Sequence, residues 1–215
     1  MPVPLKIDFV SDISCPWCVI GLRALEQAIA RLDGQVAVDL HFQPFELNPQ
    51  MPPGGQDIDE HLQQKYGSTP EQAALVRERI RAAGAALGFT FSLQTRSRIY
   101  NTFDAHRLLH WAALEGRQLA LKQALFQAYF TDGEDPSNHQ VLIRAAARVG
   151  LDATRAARIL DSNEFAAVVR KEQAFFLDQG IHAVPAVIIN NQHLIQGGQP
   201  VEVFEQALRQ IAGLA

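Results

Sequence analysis

Hydrophobic positions alternate near both ends of the chain and recur at helical spacing between them. The first segment, Leu5-Lys6-Ile7-Asp8-Phe9-Val10, is short, apolar and partly alternating, which predicts a strand. Ser11 to Ser14 make a polar connection. Cys15-Pro16 then opens a helix, at a position where proline's missing N–H has no partner to lose. Leu22, Leu25, Ile29 and Leu32 follow with helical period, and Asp33-Gly34 supplies the glycine stop. Val36, Val38, Leu40 and Phe42 alternate with Ala37, Asp39, His41 and Gln43, the pattern of a half-buried strand.

The middle changes character. Asn48-Pro49-Gln50-Met51-Pro52-Pro53-Gly54-Gly55 cannot continue either structure. After it the periodicity predicts helices near 57–66, 70–87, 98–115, 117–130, 138–149, 152–160 and 162–179. One-sided apolar faces such as Val141, Leu142, Ala145, Ala146 and Val149 mark them. The end reverts to alternation. Ala186-Val187-Ile188-Ile189 reads as a strand, Asn190-Asn191-Gln192 as a turn and His193-Leu194-Ile195-Gln196 as the returning strand. A final helix carries Phe204, Ala207, Leu208 and Ile211 on one face. The predicted order is β-α-β, an all-helical insertion, then β-β-α. Residues 1–55 and 180–215 would form one discontinuous α/β domain, and 56–179 the inserted helical domain.

Composition narrows the function without naming it. At 47% hydrophobic and 20% charged, the 215 residues are those of an ordinary globular protein able to bury a substantial core. A formal charge of −4, with scattered basic residues, argues against nucleic acid as a partner and against a polybasic membrane anchor. No apolar run approaches a membrane span, and the start lacks the pattern of a secretion signal. The expectation is a cytoplasmic protein. Only two cysteines occur, which excludes a disulfide-dense scaffold. In a reducing compartment, their placement as a C-x-x-C pair points to chemistry or to metal binding.

That pair is Cys15-Pro16-Trp17-Cys18, at the start of the first helix. A thiol attacks as its thiolate, and unpaired N–H groups at a helix start favour that anion. Cys15 would be the exposed nucleophile and Cys18 the resolving thiol three residues on. Trp17, between them, would touch substrate. The competing reading is half of a zinc site. It needs two more ligands, and His106/His110 is the one histidine pair with suitable spacing. The helix-start context favours redox chemistry, so no metal is expected.

Three further features stand out. Val184-Pro185 places a proline, which cannot donate to a ladder, at the entry to an apolar strand. Asp8 puts a carboxylate into an apolar strand: either it faces water at a sheet edge or end, or it is buried and accepts the proton of Cys18. Asp12 and Glu46 carry the same ambiguity. Asn101-Thr102-Phe103-Asp104-Ala105-His106 opens a helix, where polar residues are usually caps but could line a cleft above the cysteines.

Taken in order, several stretches resemble the DsbA family of the thioredoxin superfamily, and specifically its FrnE-like cytoplasmic branch. They are Ser14-Cys15-Pro16-Trp17-Cys18 with Ile20-Gly21, Phe42-Gln43-Pro44-Phe45-Glu46-Leu47-Asn48-Pro49, Asn101-Thr102 with Ala105-His106-Arg107-Leu108, Ala128-Tyr129-Phe130-Thr131, Val184-Pro185-Ala186 and Gly198-Gln199-Pro200. The resemblance implies a thioredoxin-like α/β fold with the helical insertion capping the active site. It also implies that Pro185 is a cis-proline beside the Cys15 sulfur, with the Val184 backbone pairing with an extended peptide or with glutathione. The substrate groove would be formed by Val184, Pro185, Asn101 and Gln199. The implied activity is thiol–disulfide exchange or disulfide isomerisation on protein or peptide thiols and disulfides. No cofactor would be required, and glutathione would serve as a co-substrate. FrnE-like proteins with extra cysteines near the C-terminus differ from this chain, which has none. Kappa-class glutathione transferases and 2-hydroxychromene-2-carboxylate isomerases share the insertion but carry serine at the first cysteine position. They supply the alternative of glutathione-dependent chemistry on a small aromatic compound.

Overall fold

A computed structural model describes residues 1–92 and 97–214 of the chain. Strand β1 (Val3–Ser11) leads into helix α1 (Pro16–Arg31), which returns to β2 (Val36–Pro44) parallel to β1, pairing Val3 with Val36 through Ser11 with Pro44. Between β2 and the last two strands run β3 (Gln56–Asp57), α2 (Ile58–Tyr66), α3 (Pro70–Ala86), β4 (Arg98–Ile99), α4 (Phe103–Leu114), α5 (Gln118–Phe126), α6 (His139–Arg148), α7 (Ala153–Leu160) and α8 (Ala166–Asp178). The chain closes with β5 (Ala186–Ile189), β6 (His193–Gln196) and α9 (Val201–Ile211). The main sheet has the order β2-β1-β5-β6, with β5 antiparallel to both β1 and β6. Asn190 and Asn191, at φ 52° and 57°, make the turn between β5 and β6, a conformation asparagine tolerates.

Strand alternation sorts β1 onto two faces. Leu5, Ile7 and Phe9 join Leu22 and Leu25 of α1 and Phe204 and Leu208 of α9 in the main core. Val10, on the other face, packs with Phe45, Phe176 of α8, Ile181 and Ala186. The main core continues without a break into the helices, through Leu108, Leu121, Leu125, Phe126, Phe130 and Leu142. Phe42 of β2 sits edge-on to Phe9 at 5.7 Å between ring centres. Gln118 fixes α5 to the outer edge of β2. Its side-chain amide accepts from the Phe42 N–H and donates to the Phe42 carbonyl, both at 2.9 Å, so it mimics one rung of a neighbouring strand.

The helices begin where local chemistry allows. Asp57 caps α2 by accepting from the Asp59 and Glu60 N–H groups, and Thr69 with Gln72 forms a reciprocal capping box on α3. Two predicted starts move. The helix expected over 98–115 begins at Phe103, because Arg98 and Ile99 pair with Asp57 and Gln56 in a small ladder. Among the described residues, the insertion expected to be all-helical therefore also carries a two-stranded ladder. The helix expected over 162–179 begins at Ala166, after Phe165 takes a left-handed φ of 62°. The helix expected over 117–130 is α5 continued by a π turn, Gln127–Thr131. Among the described residues no helix is long and apolar enough to cross a membrane.

Candidate active site

The β1–α1 connection places both cysteines. Cys15 is the residue just before the first turn, with φ −92° and ψ 110°, and Pro16 follows inside it. The Cys18 N–H donates to the Cys15 carbonyl at 3.1 Å, closing the first turn around the pair. Both residues are free thiols and both are buried, Cys15 to 3% exposure and Cys18 to 0%. The exposed nucleophile expected from the sequence is thus covered. Burial first, and then the neighbouring Cys15 sulfur, push the Cys18 thiol well above its ordinary range. The Lys122 ammonium and a hydrogen bond with the Asp12 backbone pull the other way.

The Val184-Pro185 peptide is cis. The Cys15 thiol donates to the Val184 carbonyl at 3.6 Å, so the proline segment meets the nucleophile directly. Two glycines make that approach possible. A Cβ on Gly21 of α1 would stand 3.1 Å from Pro185 Cγ, and one on Gly198 would stand 2.9 Å from the Trp17 carbonyl oxygen. The Gly197 N–H holds the Pro185 carbonyl at 2.8 Å. Trp17 itself is half-buried against the core. Gln199 is also half-buried, and its side-chain amide donates to the Gln196 carbonyl at 2.8 Å.

Asp12 ties the loop before Cys15 to two other parts of the chain, the loop after β2 and the start of α4. One carboxylate oxygen accepts from the Ser14 N–H at 3.3 Å and the Thr102 hydroxyl at 2.7 Å. The other accepts from the Ser14 hydroxyl at 2.8 Å and the Leu47 N–H at 2.7 Å. His106 of α4 donates to the Phe45 carbonyl at 3.0 Å with the same ring nitrogen that lies 3.5 Å from Asp12. Burial alone would raise the carboxyl, but His106, Leu47 and Thr102 together lower it from 3.8 to about 2. Asp12 is therefore a buried carboxylate that holds β1, the loop after β2 and the start of α4 in one place.

Of the remaining candidates, Glu46 is buried and meets Arg170, Gln173 at 3.0 Å and Asn101 at 3.4 Å. Asn101 also accepts from the Phe103 N–H at 2.9 Å, acting as a cap at the start of α4. Asp8 does not face water: it is 4% exposed, on a strand that is not a sheet edge and on the face that packs against Phe45, Phe176 and Ile181. Its carboxylate meets Lys6 at 2.8 Å and Gln43 at 2.6 Å. Alternation puts it on the Val10 face of the sheet, opposite the face that packs on α1, so it is not brought together with Cys18. His110 faces Glu172 at 3.3 Å rather than the cysteines. Among the described residues no group of three or more histidine, cysteine or acidic side chains is arranged to hold a metal ion.

Two residues absent from the sequence reading belong to the site. Lys122 of α5 is 0% exposed and lies 5.0 Å from the Phe126 ring centre and 5.7 Å from that of Phe42. Tyr66 ends α2 and is 60% exposed; its phenol is raised by partial burial and then by the charge of Cys15. A lysine within a helical period reads as solvent-facing, and an aromatic residue at a helix end carries no signal of its own, so neither stood out.

With this geometry in place, known proteins can be set beside the chain. The DSBA-like thioredoxin domain matches residues 6–209. The protein belongs to that family. Its fold is also that of a probable DsbA oxidoreductase from Streptomyces coelicolor, with 33% identity, a TM-score of 0.91 and coverage of 97% of this chain and 90% of the other. A Bacillus subtilis protein of uncharacterised function, YwbO, is 26% identical over 209 residues, 97% of this chain and 96% of its own length. The fold is further shared with the cytosolic disulfide reductase DsbM from Pseudomonas aeruginosa, in a structure with GSH. There the identity is 17% and the TM-score 0.67, over 97% of this chain and 100% of the other. The protein is thus a DsbA-like thiol oxidoreductase by family, built on a thioredoxin-like fold with a helical region.

Proposed function

We propose that the protein exchanges disulfides with protein or peptide substrates, and with glutathione, through Cys15 and Cys18. The observation that carries this reading is the meeting of two elements at one sulfur. Cys15 sits at a helix start and donates to the carbonyl that precedes a cis proline. Membership of the DsbA-like family supports it, as does the shared fold with a reductase whose structure includes GSH.

The chemistry runs in two displacements. Cys15, as its thiolate, attacks one sulfur of a substrate disulfide. The other substrate sulfur leaves with the electron pair and takes up a proton. Cys18 then loses its proton and attacks Cys15 Sγ, which releases the second substrate sulfur as a thiol. Two protein thiols become one disulfide, and one substrate disulfide becomes two thiols. The reverse sequence oxidises a substrate.

Val184 makes no backbone–backbone hydrogen bond among the described residues. Its N–H and carbonyl suit the addition of an extended chain beside Cys15. Residues 1–55 and 180–215 act in this reading as the redox unit. The insertion 56–179 supplies the opposite wall through Tyr66 and the Asn101–Thr102 segment. Gln199 stands beyond the proline segment as a further contact. The resemblance to the FrnE-like branch, and the cytosolic reductase of the same fold, favour work in the cytoplasm.

The test is reduction of insulin disulfides with glutathione as the electron donor. The wild type is expected to be active, and Cys15→Ser to be inactive. If the wild type fails there but conjugates glutathione to an aromatic electrophile, and Cys18→Ala keeps that conjugation, the protein is a transferase or isomerase instead.

A further inference from the structure

Among the described residues, Lys122 is a cation with no ionic or hydrogen-bonding partner of its own. Its ammonium nitrogen is buried and makes no hydrogen bond to any of them. A charge removed from water without a bonded partner is costly, so its position calls for a reason. The ammonium lies over the faces of Phe42 and Phe126, at 5.7 and 5.0 Å from the ring centres. Such faces moderate the cost of a buried cation without removing it.

The position is built rather than incidental. Gln118 clamps α5 onto the Phe42 backbone from both sides. Lys122 lies one helical turn later, on the same face, so the clamp directs it inward over Phe42. Phe42 and Phe126 belong to the same apolar cluster as Cys15 and Cys18. The charges that act on Lys122 are those of Cys18, then Asp12, then Cys15.

We propose that Lys122 is the electrostatic partner of Cys18, holding that thiol as a thiolate while the mixed disulfide at Cys15 is resolved. This inference rests on the dithiol reading above. Lys122 touches no reacting atom; it acts through Cys18, from the helical insertion, across the interface with the redox unit. The ammonium keeps its proton throughout. Cys18 releases its own proton to solvent, its sulfur pair forms the bond to Cys15 Sγ, and the bond from Cys15 to the substrate sulfur breaks. The departing sulfur takes the electron pair and one proton. With glutathione disulfide as oxidant, the protein dithiol is oxidised and one glutathione disulfide is reduced to two glutathiones.

Burial lowers the Lys122 ammonium to about 8, which leaves it mostly charged near neutral pH. The other titratable groups around it are Asp12, already ionised and hydrogen-bonded, and His41, His106, His110 and Glu172, which line the same cavity from β2, α4 and α8. Of these, His106 is committed to Phe45 and His110 to Glu172. Cys18 does not line that cavity; it lies in the shared apolar cluster, and its thiolate is the anion acting on Lys122 that arises during turnover.

The experiment mixes reduced protein with glutathione disulfide, quenches with acid at intervals, and counts the mixed and internal disulfides by mass spectrometry across pH 6–9. Lys122→Met removes the charge at nearly constant shape, and Lys122→Arg retains it. Expected for Lys122→Met are resolution about tenfold slower at pH 7, accumulation of the Cys15 mixed disulfide, and a pH inflection moved upward. In the arginine variant the inflection returns toward that of the wild type. Attack on glutathione disulfide by Cys15 should change less than resolution does. Should Lys122→Met not fold, Lys122→Gln provides the same comparison. Resolution by the neutral variants with the wild-type rate and inflection would overturn the role of Lys122 while leaving the dithiol reading intact. Failure of the wild type to form any mixed or internal disulfide would overturn the dithiol reading, and this inference with it.

Discussion

Replacing Asp12 by asparagine tests how the redox loop is held. The carboxylate accepts four hydrogen bonds, two of them from the backbone N–H groups of Ser14 and Leu47, one on each oxygen. An amide has one accepting oxygen. Whichever way the substituted side chain turns, its NH2 group faces one of those two backbone donors, while the Ser14 and Thr102 hydroxyls can rotate to adapt. Leaving one buried donor unsatisfied, together with losing charge assistance, costs about 2–3 kcal/mol. The titration gives a similar figure. A carboxyl lowered from 3.8 to about 2 contributes about 2–3 kcal/mol. The two are alternative measures of one effect and are not added. The sign follows from a folded-state value below the unfolded one: the contribution is complete above the unfolded pKa and is lost as pH falls toward the folded one. Urea unfolding of wild type and Asp12→Asn should therefore differ by about 2–3 kcal/mol at pH 7, and by roughly half of that at pH 3. Insulin reduction should fall as well, because Ser14 and Cys15 are positioned by the same carboxylate. Stabilities within about 0.5 kcal/mol at pH 7, or a difference that does not shrink with acid, would refute the reasoning.

Other consequences can be checked with the same assays. Gly198→Ala would bring a Cβ to 2.9 Å from the Trp17 carbonyl, a backbone atom with little room to yield. It should cost about 1–3 kcal/mol in urea unfolding and slow insulin reduction by displacing the proline segment from Cys15. Arg107 is buried and donates to the Ile159, Ser162 and Glu164 carbonyls and to Asp104. Arg107→Lys cannot reach them all with one ammonium, so unfolding experiments should register a loss of about 3 kcal/mol. Tyr66→Ala removes a largely exposed ring near Cys15, which should leave stability within about 0.5 kcal/mol of wild type. It should slow reduction of insulin more than exchange with glutathione disulfide, since the larger substrate reaches further across the cleft.

Much of the scaffold was legible because local patterns and tertiary structure agree. Leu5, Ile7 and Phe9 alternate because one face of β1 packs on α1 and α9. Asn190-Asn191 marks a turn because both residues have positive φ. The cysteine pair was legible from spacing and from Pro16 alone. What escaped depends on contacts between distant parts of the chain. Asp12 could be weighed either as water-facing or as a buried proton acceptor, and its role as a buried anchor emerges only when Leu47, Thr102 and His106 are brought around it. Asp8 could be weighed as a water-facing residue because β1's place between β2 and β5 is not written in β1 itself. Arg98 and Ile99 fit a helical period, yet pair as a ladder with residues some forty positions earlier. Lys122 was hidden for a similar reason, since its burial follows from Gln118 clamping α5 to β2. The small size needed at Gly21 and Gly198 becomes visible only when the proline segment lies against α1.

In the proposed reaction Cys15 captures a substrate sulfur and Cys18 releases it. This division of roles is tested most directly with Cys18→Ala, incubated with glutathione disulfide and separately with an oxidised protein extract, then mapped by mass spectrometry. The variant should hold a stable mixed disulfide at Cys15 in both cases, while the wild type resolves to an internal Cys15–Cys18 disulfide. A variant whose Cys15 captures neither glutathione nor protein, alongside a wild type in which both thiols remain free, would contradict that reaction.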